Sequence, residues 1–201
     1  MTRAAKIDVL MTGVGGQGII LSSDIMAETA IACGYDVKKT DVHGMAQRGG
    51  AVTSHVRIAG KVASPLIDEG YVDILLAFEK LEAARWASYL RPGAIAIVND
   101  HSLPPLSVAL GAEHYPTDTE VIGLLKQRTD DIYLVRGTGL AIKLGDARTL
   151  NILMMGCISV FTPFADEAWK KAISELVPPK VREINLTAFD KGKEEVGNAR
   201  V

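Results

Sequence analysis

Residues 7–12 (IDVLMT) form a short apolar run that passes directly into Gly13-Val14-Gly15-Gly16-Gln17-Gly18, and a helical pattern follows. A buried strand, a glycine turn and a helix in that order make the opening βα unit of a Rossmann-like sheet, with the GxGxxG spacing such units carry. Gly13 is expected to permit the tight turn, Gly15 to let the backbone approach a ligand, and Gly18 to allow close helix–strand packing. Amides at the start of the helix favour an anion, which points to a phosphate or nucleotide. A tight βα turn that holds no ligand uses the same glycines, so both readings stand at this point.

The rest of the chain repeats the alternation. Strands are expected at 35–39, at 52–58, 72–78, 94–98 and 132–135. In the second of these Val52, Ser54, Val56 and Ile58 alternate with Thr53, His55 and Arg57, and Gly60 suggests a hairpin turn toward 61–64. Helical spacing covers 17–33, with Ile20, Ala27, Ala30 and Ile31 on one face and Gly34 as the stop. It recurs through Ala83, Trp86, Ala87 and Leu90 until Pro92-Gly93, and then over 117–128, 140–144, 149–161 and 166–176. In the last of these Trp169, Ile173 and Leu176 share a face, and from about 178 a polar tail is expected to wrap the surface. Apolar strands alternating with helices predict an α/β fold: a single Rossmann-like domain over 1–201, with a largely parallel sheet covered by helices on both faces and extra C-terminal helices.

Composition removes several function classes. Twenty-two basic against 24 acidic residues give a net charge of −2, which argues against nucleic-acid or membrane-surface binding. Cys33 and Cys157 stand far apart and neither belongs to a CxxC pair, so the chain alone holds no four-cysteine iron–sulfur cluster and no structural zinc. Both read as buried, reduced thiols. No signal-peptide pattern opens the sequence, and the longest apolar stretch, 150–164, is short and broken by Gly156 and Pro163. A cytoplasmic protein is the expectation. HExxH, Walker A and GxSxG motifs are absent, and no residue is assigned a catalytic or metal-binding role.

A second stretch, DVHGMAQRGG at 41–50, suits neither a core strand nor a core helix. It follows the second strand, which places its start on the same sheet edge as the glycine loop, where open α/β sheets bind ligands. Arg48 could fork onto a carboxylate or phosphate, His43 could exchange a proton, and Gln47 could hold a carbonyl. Equally, His43 could pin its own loop and Arg48 could pair with an acid. The second strand ends in Lys38-Lys39 where a pyridine-nucleotide enzyme carries an acid for the ribose hydroxyls. Lysines there suit a phosphate, so a stand-alone NADP-type oxidoreductase and a pure interaction module remain alternatives.

GVGGQG, then KKTDVHGMAQRGGAVTSHVRI, SPLI, DILLAFEKLEAARW, YLRPGAIAIVND, PPLSVALGAEHYP, RTLNILMMG and VPPK together resemble the gamma-type subunit of 2-oxoacid:ferredoxin oxidoreductases. The likeness is greatest to the small (beta) subunit of the indolepyruvate enzyme. It implies a subunit, inactive alone, of a complex that oxidatively decarboxylates a 2-oxoacid, an aryl pyruvate in particular, to an acyl-CoA while reducing ferredoxin. It also implies that thiamine diphosphate, magnesium and iron–sulfur clusters belong to a large partner subunit, and that this chain binds none of them. Gly13 to Gly18, with His43, Gly44, Met45, Gln47, Arg48, Gly49 and Gly50, would form the wall of the active centre or hold a CoA or substrate anion. Lys38 and Lys39 are possible phosphate contacts. Met154, Met155, Phe161 and Phe164 are candidates for a face the partner covers, with ordinary core as the other reading. The isolated chain could form a homo-oligomer.

Overall fold

The computed structural model describes residues 6–43, 50–105, 108, 110–111 and 114–201. Six strands form one sheet: β1 (Ile7–Val14), β2 (Asp36–His43), β3 (Ala51–Ala59), β4 (Val72–Ala77), β5 (Leu90–Asn99) and β6 (Asp131–Val135), in the order β2-β3-β1-β4-β5-β6. β1, β4, β5 and β6 run parallel, as an alternating βα sequence dictates. β3 is antiparallel to both β1 and β2, so β2 points the same way as β1. The sheet is therefore mixed, and the hairpin joins β2 to β3. No strand forms at 61–64, where a hairpin partner was expected. Ion pairing replaces it: Arg57 donates to the Leu66 carbonyl at 2.9 Å while its guanidinium holds Asp8, and the Val62 amide donates to Asp36.

Helices cover both faces. On one lie α1 (Ile19–Ala32), α5 (Leu150–Ser159), α6 (Asp166–Leu176) and α7 (Arg182–Val196), over a core of Met11, Ile25, Met26, Leu76, Ile152, Phe189 and their neighbours. On the other, α2 (Lys80–Arg85) and α3 (Asp118–Lys126) pack against Leu10, Leu75, Ala96, Val121 and Leu125. The short α4 (Gly137–Lys143) follows β6. α3 starts where its capping box places it: the Glu120 amide donates to the Thr117 hydroxyl, and the Glu120 carboxylate receives the Thr117 amide at 2.7 Å.

Several expectations shift. In α1, Ala27 and Ala30 face the core, but Ile20 and Ile31 are exposed; Ile19, Ile25 and Met26 take the buried positions instead. On α6, Trp169 and Ile173 are buried and Leu176 is exposed. The pattern read as one helix to Leu90 ends at Trp86, and Pro92-Gly93 lies inside β5. Cys33 is exposed at the end of α1, whereas Cys157 is buried and donates to the Gly192 carbonyl. Every residue of α5 is buried, Phe164 is core, and Phe161 packs on Tyr133. The four residues considered for a partner-covered face are therefore interior or packed within this chain.

The largest correction concerns the tail, most of which is the helix α7. Its buried stripe of Asn185, Ala188, Phe189, Gly192 and Val196 mixes polar and small residues with only two larger apolar ones, so its packed face leaves little hydropathic trace. Small residues permit unusual closeness to α5. A Cβ on Gly156 would sit 2.0 Å from the Phe189 carbonyl oxygen, and one on Gly192 would sit 1.9 Å from that of Leu153. The last residues then add to the β6 edge: Leu134 donates to the Ala199 carbonyl and Val201 to that of Ile132.

Candidate ligand cleft at the glycine loop

β1 delivers the glycine loop to the carboxyl edge of the sheet, and each glycine there has a distinct constraint. A Cβ on Gly13 would lie 2.7 Å from Gln17 Oε1 and 2.8 Å from Phe78 Cβ, so Gly13 is needed for crowding, not for turning. Gly16 (φ 104°) and Gly18 (φ 81°) make the turn in the left-handed region that side chains avoid. The Gly15 amide donates to the Gly50 carbonyl at 2.8 Å, which ties the loop to the start of β3.

Gln17 holds the loop to itself. Its Oε1 accepts the Val14 amide at 2.7 Å and its Nε2 donates to the Phe78 carbonyl at 2.9 Å. Asn99, fully buried at the end of β5, donates to the same carbonyl and to the Thr138 hydroxyl, and accepts the Thr138 amide. One hydrogen-bonded floor thus joins the ends of β1, β4 and β5 to the start of α4, with its polar atoms mutually satisfied.

Above this floor opens a cleft of about 420 Å³, lined by Gly16, Gln17, Gly18, Leu21, His101, Leu103, Thr138, Arg148, Leu150 and Asn151. A second arm of about 250 Å³ continues past Leu21, Arg148 and Asn151 to Lys180 and Asn185. α1 begins at the cleft without a side-chain cap, so its partial positive charge is directed there. Arg148 stands at the junction of the arms, 85 % exposed, and forks onto Asp146 with Nη2–Oδ2 at 2.7 Å. The Arg148 guanidinium and amide hold the Asp146 carboxyl down at about 2.

The wall carrying His101 and Leu103 is anchored from behind. Glu79, buried at the N-cap of α2, accepts the amides of Glu82 and Leu103 at 3.0 and 2.9 Å and the Tyr115 hydroxyl. Burial and the Glu79 carboxylate push the Tyr115 hydroxyl up to about 12. Burial also raises Glu82, against the opposing pull of Arg85. Lys80 bridges Asp100 and Asp118 at 3.2 and 2.6 Å, which pins the two ends of the β5–α3 crossover.

The residues singled out from sequence divide by location. Gly16, Gln17 and Gly18 line the cleft, while Gly13, Val14 and Gly15 support it from the strand end. His43 shares a row across the sheet with Val52 and Gly13, two strand spacings or about 10 Å from the loop. It is exposed at the same edge. Gly50 contributes its carbonyl to Gly15, whereas Gly44, Met45, Gln47, Arg48 and Gly49 lie outside the described residues. Lys39 is engaged with Asp24 at 2.7 Å and Asp41 at 2.9 Å; burial works against its charge, but the two carboxylates prevail and raise its pKa. Lys38 is half exposed, 3.7 Å from Asp36. Sequence reading missed His101, Thr138, Arg148 and Asn151. His101 and Thr138 follow the carboxyl ends of β5 and β6 and were open to the same edge rule that found the glycine loop. Arg148 and Asn151 come from a 3₁₀ turn and a helix start, where nothing local marks them.

Comparison with known proteins places the chain as a whole. The sequence pattern of the pyruvate ferredoxin/flavodoxin oxidoreductase family matches residues 8–195. An indolepyruvate oxidoreductase subunit IorB from Archaeoglobus fulgidus is 37% identical over 189 residues, covering 93% of this chain and 94% of that one. Its counterpart from Pyrococcus horikoshii is 34% identical over 190 residues, with the same coverage. Among solved structures, the gamma subunit of a keto/oxoacid ferredoxin oxidoreductase from Geobacter sulfurreducens superposes with a TM-score of 0.71 at 26% identity, over 96% of this chain and 99% of that one.

Proposed function

The chain belongs to the pyruvate ferredoxin/flavodoxin oxidoreductase family as a gamma-type small subunit, and from that premise we propose that it serves an indolepyruvate-type complex and holds an anionic co-substrate in its glycine-loop cleft. The observation that carries this reading is the end-to-end likeness to IorB subunits. The reaction class is R–CO–COO⁻ plus CoA–SH going to R–CO–S–CoA and carbon dioxide, with two electrons passed singly to ferredoxin and one proton released. Thiamine diphosphate supplies the decarboxylation chemistry, and in this reading it resides with magnesium and the iron–sulfur clusters on a large partner subunit. The chain itself does not fit a cluster: it has two cysteines, one exposed and one buried, and no group of three His, Cys, Asp or Glu side chains among the described residues converges on a metal site.

This chain's share is to bind and orient, as one gamma-type domain. The uncapped start of α1 and Lys180 favour an anion along the two arms, and Arg148, paired with Asp146 at their junction, is positioned to turn to it, which suits the phosphates of CoA or the carboxylate of the 2-oxoacid. Leu21, Leu103 and Leu150 give the cleft an apolar lining that keeps water from the bound group. A stand-alone NADP enzyme has less support, because Lys39 is already neutralised by Asp24 and Asp41. No described helix is long and apolar enough to cross a membrane; the cytoplasmic location of the complex is part of the proposal.

The test is an affinity capture of the tagged chain from its native host without air, followed by mass spectrometry and assay. A large thiamine diphosphate and iron–sulfur protein in the eluate, together with CoA-dependent ferredoxin reduction by indolepyruvate, is the expected result. A chain that elutes alone carrying a dinucleotide overturns the reading. A complex that prefers another 2-oxoacid overturns only the substrate.

A further inference from the structure

Two buried asparagines border the cleft, and they differ in one respect. Asn99 spends its amide on Phe78 and Thr138. Asn151, in the first turn of α5 and only 5 % exposed, has no hydrogen-bond partner among the described residues, and its side chain lines both arms. An amide offers two donors and two acceptor lone pairs, and burying it without partners is unfavourable. The buried side-chain atoms left without a partner among the described residues belong to Ser22 and Trp169, so the Asn151 amide reaches the open cleft, and a group that enters there can supply its partners. The position of the amide indicates which kind. It lies across the start of α1: a Cβ on Gly18 would meet Asn151 Nδ2 at 2.8 Å. The same spot receives the positive end of a 14-residue helix with no side-chain cap and lies beside Arg148.

We propose that Asn151 is a ligand-contacting residue, whose amide donates to an oxyanion seated over the N-terminus of α1. This rests on the cleft assigned above and adds the residue that reads the ligand. A phosphate and a carboxylate offer the same chemistry here, and in the complex they come from different molecules, CoA and the 2-oxoacid.

Steady-state kinetics of the assembled complex distinguish the two sources. Asn151→Asp keeps the shape and adds a negative charge; Asn151→Ala removes the amide. The KM of whichever co-substrate places its oxyanion there should rise about tenfold or more for Asp and a few-fold for Ala, with kcat within about twofold. The gap between the two variants should widen at low ionic strength, because it is electrostatic, whereas a packing role leaves it unchanged. Should the Asp variant fail to assemble, Asn151→Ala alone decides. Wild-type KM values for both co-substrates in an assembled Asn151→Ala complex overturn the assignment. Arg148→Ala in the same complex separates the two levels. If it raises a KM while Asn151→Ala does not, the cleft stands and the Asn151 assignment falls; if neither variant moves a KM, the cleft reading falls too.

Discussion

At the glycine loop, a Cβ on Gly18 would meet the Asn151 side chain at 2.8 Å; at the crossing of α5 and α7, a Cβ on Gly192 would meet the Leu153 carbonyl oxygen at 1.9 Å. Both junctions depend on glycine, but the obstacle differs in kind. A side chain can move by changing rotamer, whereas a carbonyl inside a packed helix moves only if the helix does. The loop is therefore a place where glycine shapes a site, and the crossing is a place where glycine permits the fold.

The largest expected effect follows at the crossing. Gly192→Ala and Gly156→Ala each drive a methyl group into helix backbone, and each should destabilise the chain by about 3 kcal/mol or more, through separation of α7 from α5. Denaturant unfolding measures this directly. Cys157 offers a local reading of the same junction. Its thiol is pushed far up, chiefly by burial, and it donates to the Gly192 carbonyl at 3.2 Å. In the wild-type protein a thiol reagent at pH 8 should label Cys33 readily and Cys157 only on unfolding. In a folded Gly192→Ala variant, Cys157 should label faster. If Gly192→Ala keeps wild-type stability and Cys157 stays protected, the two junctions are not different in kind.

The two junctions were not equally legible in the sequence. Gly13, Gly15 and Gly18 stand at fixed spacing after an apolar strand, a local pattern with a local cause. Gly156 and Gly192 lie 36 positions apart, and their meaning appears only when two helices cross. The strands and most helices were legible for the same reason as the loop, because apolar period follows burial. α7 was not, because its buried face mixes Asn185, Ala188 and Gly192 with Phe189 and Val196 and so shows little apolar contrast along the sequence. The direction of β3 was not legible either: an alternating strand has the same pattern whichever way it runs. Within the site, the glycine loop was found and Arg148 and Asn151 were missed, since each reaches the cleft from far along the chain.

An intermediate effect is expected at Gly18→Ala, which combines a positive φ with the Asn151 contact. A cost of about 1–3 kcal/mol follows from the backbone and the displaced side chain together. KM in the complex should rise as well, because the displaced side chain is the one assigned to the ligand. Gly16→Ala isolates the backbone component: its φ is 104° and no atom lies within 4 Å of the new Cβ, so about 1–2 kcal/mol is the expected loss. Unfolding of the two variants side by side sharpens the comparison within the loop itself. Equal losses mean that Asn151 moves aside freely.

The smallest effect lies at the mouth of the cleft, where closeness comes from charge and not from glycine. Asp146 has a folded pKa of about 2, below its ordinary 3.8, because Arg148 and its amide stabilise the carboxylate. A carboxyl depressed on folding contributes stability above its unfolded pKa and loses it as pH falls through the folded value. The contribution of the pair should thus be complete above about pH 4 and gone near pH 2. The pair is solvent-exposed on the Arg148 side, so the change is small and screened by salt. Unfolding of Asp146→Asn and wild type across that range should show curves that differ slightly at pH 5 and converge in acid. The same substitution leaves Arg148 without its fork partner and therefore freer to meet an anion in the cleft, so KM in the complex should fall or hold while stability drops. A KM that rises with Asp146→Asn would mean that Asp146 holds Arg148 in the position the ligand needs, and the mouth of the cleft would then be preorganised in the way its glycine floor is.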